Sequence, residues 1–263
     1  KDLRIPFIAN VCGGELAELP EIHYGSRVKF WQRTFVDLTF ERADKIISGS
    51  DYIIEKIDSY YNDDISAKVV KIPFGADETM FFPNKTKTDF PSLIAIGSDV
   101  PVKAYNILLN AVKIVKQNFT NIHLIICGRD DRNVLPELVN KFDLNNNVEL
   151  KGFVEYEKIP DMLNSADIFV LGSLYESQNM SLIEAALCGL PIISTNVGIA
   201  KEITENVIEP GNADALADKI NMVIENYKNE SEKSLKKIPE LKETFSLSNS
   251  VNKFAELYKA WFD

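Results

Sequence analysis

Glu176 and Glu184, with seven residues between them, bracket a stretch whose residue types can do chemistry: ESQNMSLIEAALCGLP over 176–191. Upstream, Asp167–Leu171 (DIFVL) is a β-branched and aromatic run of the kind that forms a buried parallel strand, and Gly172 and Ser173 interrupt it. Downstream, the pattern predicts a helix from about Met180 to Cys188, stopped by Gly189 with Pro191 two residues on. The backbone N–H groups around Asn179, Met180 and Ser181 then lack intrahelical partners, at the positive end of a helix dipole and the carboxyl end of a strand. Such a terminus holds an anion, for example a diphosphate, without any side chain. Carboxylates accept paired sugar hydroxyls and repel phosphate. Glu176 in the loop and Glu184 roughly 6 Å further along the helix axis are therefore expected to point beside the anion, toward neutral hydroxyls. Each Glu taken singly has a plainer reading, Glu176 as a helix cap and Glu184 as a solvated helical residue.

The elements that position this stretch alternate regularly. Ser92–Gly97, His123–Cys127 and Val148–Leu150 read as strands, and Tyr105–Lys116, Leu135–Phe142 and Ile159–Ser165 as helices. That order implies a parallel sheet with right-handed crossovers and ligands at the carboxyl ends of the strands. The turns at that end are Ser98–Lys103, Gly128–Asp130, Gly152–Val154 and the Glu176 loop. Arg129 in the second turn reads equally as a phosphate contact or as a solvated loop residue. Earlier in the chain, Ile5–Val11, Lys45–Ser48 and Lys68–Ile72 read as strands and Asp51–Tyr60 as an amphipathic helix, which together make half of a doubly wound domain. Between the first two strands, Val28–Ile46 has helical spacing of Phe30, Trp31, Thr34, Phe35, Leu38 and Ala43. Gly13 and Gly14 after the first strand permit close backbone approach to a ligand. Pro73–Pro83 marks a domain boundary and Asn84–Asp89 a polar loop. Ala213–Tyr227 reads as a helix, Lys228–Lys237 as a charged, solvated stretch, and Ser248–Phe262 as a last helix with Val251, Phe254, Ala255, Tyr258, Trp261 and Phe262 on one face.

At 263 residues and 45% apolar content the chain can build two modest α/β cores. A net charge of −10 argues against nucleic acid as a partner. Cys12, Cys127 and Cys188 are widely spaced in or beside apolar runs, which suggests reduced, buried thiols. His23 and His123 give a zinc cluster little to be built from, and are expected to be a surface residue and a core or sheet residue, respectively. No run approaches the ~20 apolar residues needed to span a bilayer, no signal peptide is visible, and the chain reads as cytoplasmic. A dinucleotide-binding module would carry a G-x-G-x-x-G turn after a strand, and none is present.

Glu176 and Glu184, followed by AALCGLPIIST, resemble the E-x7-E element of retaining, nucleotide-sugar-dependent glycosyltransferases of the GT-B fold, family four (glycosyl transferases group 1). Ala43–Ser50 is similar to that family's A-D-x-I-I-x-x-S run, Pro73–Pro83 to its interdomain linker, and Val197–Glu202 to its G-G-x-x-E region. The resemblance implies an α/β GT-B fold, with a doubly wound parallel-sheet C-terminal domain and part of an N-terminal Rossmann-like domain. In this reading residues 1–75 are the second half of an acceptor-side domain, 76–90 the linker, 91–245 the donor domain, and 246–263 a helix returning to the N-terminal domain. About a hundred residues of the first domain are expected to precede this chain, and the fragment alone is expected to be inactive.

The resemblance further implies transfer of a sugar from a nucleoside diphosphate sugar to an acceptor hydroxyl with retention. Lys103 and Glu176 would be catalytic, and donor binding would fall to Gly97, Ser98, Lys103, Gly128, Phe153, Val154, Glu176, Asn179, Met180, Ser181 and Glu184. Cys12, Gly13 and Gly14 would lie on the acceptor side, with Cys12 where many relatives carry a His. Ser98 stands where the family has an Arg, Ala104 where it has a Gly, and Asp130 where it often has a second Gly. No metal and no cofactor is expected beyond the donor itself. The acceptor would be a glycan, a lipid-linked molecule or a small molecule, with no nucleic acid involved, no membrane span, and peripheral membrane contact through the N-terminal half. A noncatalytic glycosyltransferase-like partner protein, or a simple nucleotide-binding module, are the alternatives.

Overall fold

The computed structural model describes residues 5–84 and 91–260. The predicted loop residues beyond Asn84, and Trp261 and Phe262 of the last helix, lie outside the described residues. The first lobe runs β1 (Ile8–Val11), α1 (Phe30–Arg42), β2 (Lys45–Ser48), α2 (Asp51–Tyr60), α3 (Asp63–Ser66) and β3 (Val69–Lys71). Its three strands pair in parallel in the order β1-β2-β3.

The second lobe opens with β4 (Ser92–Ile96), α4 (Tyr105–Val115), β5 (His123–Cys127), α5 (Leu135–Lys141), β6 (Val148–Gly152) and α6 (Ile159–Asn164). It continues with β7 (Ile168–Leu171), α7 (Met180–Leu187), β8 (Ile192–Thr195), α8 (Ala200–Ile203), β9 (Val207–Ile208), α9 (Ala213–Glu225), α10 (Tyr227–Phe245) and α11 (Leu247–Lys259). Its six parallel strands lie in the order β6-β5-β4-β7-β8-β9. Strand order reverses between β4 and β7, so the turns after these two strands flank the crevice where an open α/β sheet binds its ligand. β7 and β8 are buried along their whole length because helices cover both faces of the sheet.

Three parts differ from the sequence expectation. Phe30, Trp31, Phe35 and Leu38 of α1 are exposed, and only Phe40 of that helix is buried, because the described elements pack against its other face. The stretch 228–237 is helical, as part of α10, and its Lys237 Nζ donates to the carbonyls of Glu202 and Ile203 at the end of α8 (3.3 and 3.0 Å). In α11, Val251 and Tyr258 are exposed, while Phe254 stacks on Phe74 with 5.9 Å between ring centroids. The boundary segment is pinned where α10 meets α11: Ala76 N–H donates to Phe245 O, and Leu247 N–H donates back to Ala76 O. Phe81 is fully buried in the second lobe.

Candidate active site

Lys103 and Glu176 meet at the switch point. Lys103 closes a 3-10 turn (Pro101–Lys103) after β4, and Glu176 lies in the loop after β7. Lys103 Nζ donates to Glu176 Oε1 at 2.7 Å, and Ser173 Oγ donates to the same oxygen at 2.7 Å. The two turns are also joined through the backbone, where Leu174 N–H donates to Val102 O at 2.8 Å. Both charged side chains are mostly buried, which raises the strength of the pair above that of a surface ion pair. Ala104 follows with φ +49, a left-handed backbone in which Gly is strain-free, and this is the physical reason a Gly would be expected at that position.

α7 begins with Asn179, whose Oδ1 accepts from Leu182 N–H at 2.9 Å and from Ser181 Oγ at 2.9 Å. The cap is thus Asn179 and not Glu176. Met180 and Ser181 occupy the first turn, where N–H groups have no carbonyl within the helix to bind. Glu184 is only 5% exposed and not solvated. Burial pushes its carboxyl up to about 7, against a smaller opposing effect from Tyr156, whose hydroxyl donates to Glu184 Oε1 at 3.2 Å. Burial, and after it the same carboxylate, pushes the Tyr156 phenol up to about 12.

The remaining residues expected on the donor side stand around this pair of turns. Gly128 is in close contact with Gly97: a Cβ on Gly128 would sit 2.0 Å from Gly97 O, so only glycine lets the two βα turns touch. Tyr105 Oη locks the same carbonyl at 2.6 Å. Ser98 is exposed, and the neighbouring buried Asp99 binds Arg132 Nη2 at 2.7 Å, which brings a guanidinium to the turn that lacks the family's Arg. Arg129 lies over the exposed Phe153 ring at 4.8 Å, and Val154 packs against the second lobe's core. Asp130 accepts from the amides of Val134 and Leu135 (both 2.9 Å) and so caps α5. His123 is a half-buried sheet residue 3.6 Å from Glu149, and not a core one.

On the other side of the crevice, Cys12, Gly13, His23 and Tyr24 of the first lobe share a cavity of about 490 Å³ with Lys103 and Glu176. Cys12 is exposed, which corrects the expectation of a buried thiol, and Cys127 and Cys188 are buried. Ser177 Oγ donates to Cys12 O at 2.8 Å, and Gly13 N–H donates to Glu15 Oε2 at 2.8 Å. Gly14 lies against the Tyr24 ring. His23 is exposed, as expected of a surface residue, and borders the cavity in a left-handed turn at φ +53. Glu202 reaches across to the first lobe, accepting from Asp51 N–H at 2.9 Å and pairing with Lys71 at 2.8 Å. Ser173, Tyr156, Tyr175 and Gln178 bond to or flank the candidate site residues, and the sequence reading did not single them out for the site. Their only local signal is closeness in sequence to Glu176 or, for Tyr156, to the Gly152 turn. Among the described residues no group of three or more His, Cys, Asp or Glu is placed to hold a metal ion, and no helix is long and apolar enough to cross a membrane.

A parallel six-stranded sheet with paired cation, carboxylates and helix amides at its switch point, facing a second parallel lobe, is the architecture of a GT-B glycosyltransferase. The chain belongs to that family: the pattern described as Glycosyl transferases group 1 matches residues 76–240. It is 31% identical over 140 residues to a component of the phosphatidylinositol N-acetylglucosaminyltransferase of Arabidopsis thaliana, covering 52% of this chain and 31% of the relative. It is 27% identical over 154 residues to 2-deoxystreptamine N-acetyl-D-glucosaminyltransferase of Niallia circulans, covering 55% and 40%. These matches span about a third to two fifths of the relatives' length. In fold, the chain is similar to sucrose-phosphate synthase from Thermosynechococcus elongatus, with a TM-score of 0.85 at 19% identity over 99% of this chain and 69% of that one. It is also similar to Anabaena HepE in complex with UDP-glucose, with a TM-score of 0.80 at 19% identity over 97% and 72%.

Proposed function

We propose that this chain carries the donor site of a retaining, metal-independent glycosyltransferase that moves a sugar from a nucleoside diphosphate sugar to an acceptor hydroxyl. In this reading residues 1–75 belong to the acceptor-side lobe, 76–90 link the lobes, 91–245 bind the donor, and 246–263 return toward the first lobe. The observation that carries the reading is the Lys103–Glu176 pair at the switch point, one loop before the open amides of α7. Lys103 and the Met180 and Ser181 amides neutralise the leaving diphosphate, which takes the place of a divalent ion. Glu176 orients the sugar hydroxyls, held ready by Lys103 and Ser173. Glu184 accepts from the ribose hydroxyls, with Tyr156 beside it. Phe153 and Val154 border the base, and Gly97 with Gly128 lets the backbone come close to the nucleotide. The departing phosphate oxygen takes the acceptor proton, so no separate base is required. Acceptor hydroxyls arrive from the Cys12–Gly14 side of the cavity.

The names of the relatives make N-acetylglucosamine the first sugar to try, and a lipid-linked, glycan or small-molecule acceptor the first class. A lipid acceptor fits a cytoplasmic enzyme that meets the membrane peripherally. The test is calorimetric titration of the chain with UDP, GDP and ADP in buffer containing EDTA, alongside Lys103→Ala. The expected result is micromolar to millimolar binding of one nucleotide, unchanged by the chelator and at least about tenfold weaker in the variant, as for loss of a charge-assisted contact. Equal affinity of wild type and Lys103→Ala would contradict the assignment of the diphosphate.

A further inference from the structure

The residue before Glu176 is not part of the second lobe's core. Tyr175 is 3% exposed and belongs to the core of the first lobe, packed with Ala9, Val11, Leu16 and Ile53. Its ring lies 6.2 Å from that of Tyr24 and 5.8 Å from that of Tyr52, and Lys56 Nζ sits over both the Tyr52 and the Tyr175 rings. Val102, the residue before Lys103, is buried in the same cluster. So each member of the Lys103–Glu176 pair has an immediate chain neighbour plugged into the opposite lobe.

The other flank of Glu176 is held from the same side. Ser50 Oγ donates to Ser177 O at 2.7 Å. The Gln178 amide pairs with the Phe74 backbone in both directions, at 2.9 and 2.7 Å, and a Cβ on Gly49 would lie 2.1 Å from Gln178 Oε1. The Tyr175 ring, Ser177 and the Gln178 side-chain amide thus find partners in the first lobe, while the Gln178 carbonyl accepts from Ile199 N–H of the second, and the Glu176 carboxylate between them takes Lys103 and Ser173 from the second.

We infer that Tyr175 is a positioning residue: its ring, seated in the core of the first lobe, holds the loop in the geometry that presents Glu176 to the donor sugar. This rests on the donor-site reading above. The seat is made by the ring and not by the hydroxyl, since Tyr175 Oη is buried with no hydrogen-bond partner among the described residues. Docking of the two lobes and formation of the sugar grip are therefore one event. A donor lobe with an empty seat keeps its diphosphate and ribose contacts and loses its hold on the sugar.

The test is titration of the chain with UDP-N-acetylglucosamine, UDP-glucose and GDP-mannose and with bare UDP and GDP, for wild type, Tyr175→Phe, Tyr175→Ala and Tyr175→Leu. Each Tyr175 variant is made alone and combined with Glu176→Ala. Tyr175→Ala is expected to weaken binding of the preferred nucleotide sugar about tenfold, while bare nucleotide affinity changes less than about threefold. Tyr175→Phe behaves as wild type, and Tyr175→Leu, which keeps the core filled, shows the same selective loss if the Ala variant does not fold. In the Glu176→Ala background the Tyr175 substitutions have no further effect, because the residue acts through Glu176. Additive losses in that background, equal losses for nucleotide and nucleotide sugar, or unchanged binding by Tyr175→Ala would each overturn the positioning role. A wild type that binds neither these five ligands nor ADP would instead overturn the donor site itself.

Discussion

Replacing Glu184 by Gln is expected to move stability and nucleotide binding in opposite directions. The Glu184 carboxyl, ordinarily near 4.5, is pushed up to about 7 by burial. At about 1.4 kcal/mol per pH unit, that gap is worth roughly 3 kcal/mol as an upper bound. The side chain is 5% exposed, so solvent screening takes little from this figure. The sign follows from which state holds the proton. Below pH 4.5 both the folded and unfolded chains keep it and no penalty exists. Between 4.5 and about 7 the unfolded chain ionises first, so stability falls as pH rises, and above about 7 the full cost is present. Gln cannot ionise, and its carbonyl can still accept from Tyr156 Oη. Urea denaturation at pH 5 and pH 8 reads this directly: the variant gains under about 1 kcal/mol at pH 5 and about 2–3 kcal/mol at pH 8 over wild type. Nucleotide affinity is expected to behave the other way: the deficit of Glu184→Gln relative to wild type, a ratio in which the ligand's own phosphate ionisation cancels, grows as pH passes through about 7. A stability difference that is the same at both pH values would refute the buried, proton-holding carboxylate. Undiminished nucleotide affinity in the variant would refute the ribose role.

Two other substitutions separate the remaining assignments. Under the proposed function, Glu176→Ala is expected to cut sugar transfer by at least about a hundredfold while changing affinity for the bare nucleotide little, and comparable losses in both would remove it from the sugar. Ala104→Gly relieves a left-handed backbone at φ +49 and is expected to stabilise the chain by up to about 1 kcal/mol, seen as a higher urea midpoint; a lower midpoint would mean the turn is not strained.

The sequence carried the second lobe well because its strands are short apolar runs between helical periods, and buried parallel strands leave that mark. β2 and α2 fall where the residues place them, at Lys45–Ser48 and Asp51–Tyr60. Periodicity misled for α1, because Phe30, Trp31 and Phe35 share a helix face that the described elements leave exposed. It also hid the helical character of 228–237, whose charged surface conceals a buried end at Leu241 and Phe245. Glu176 and Glu184 stood out through motif spacing, and Lys103 through the resemblance of its turn to the family's. Their environment did not, since the Lys103–Glu176 pair spans 73 positions, the Ser50–Ser177 bond 127 and the Cys12–Ser177 bond 165. Nothing local in a chain reports such contacts, and for the same reason the plainer reading of Glu184 taken singly, a solvated helical residue, fails once the fold buries it.

A crystal structure of the chain with the nucleoside diphosphate that binds it best tests the donor site most directly. The diphosphate is expected between Lys103 Nζ and the Met180 and Ser181 amides, the ribose hydroxyls within hydrogen-bond distance of Glu184, and the base against the Phe153–Val154 backbone. A nucleotide bound elsewhere, or with its ribose away from Glu184 and its phosphates out of reach of Lys103, would contradict the donor-site assignment.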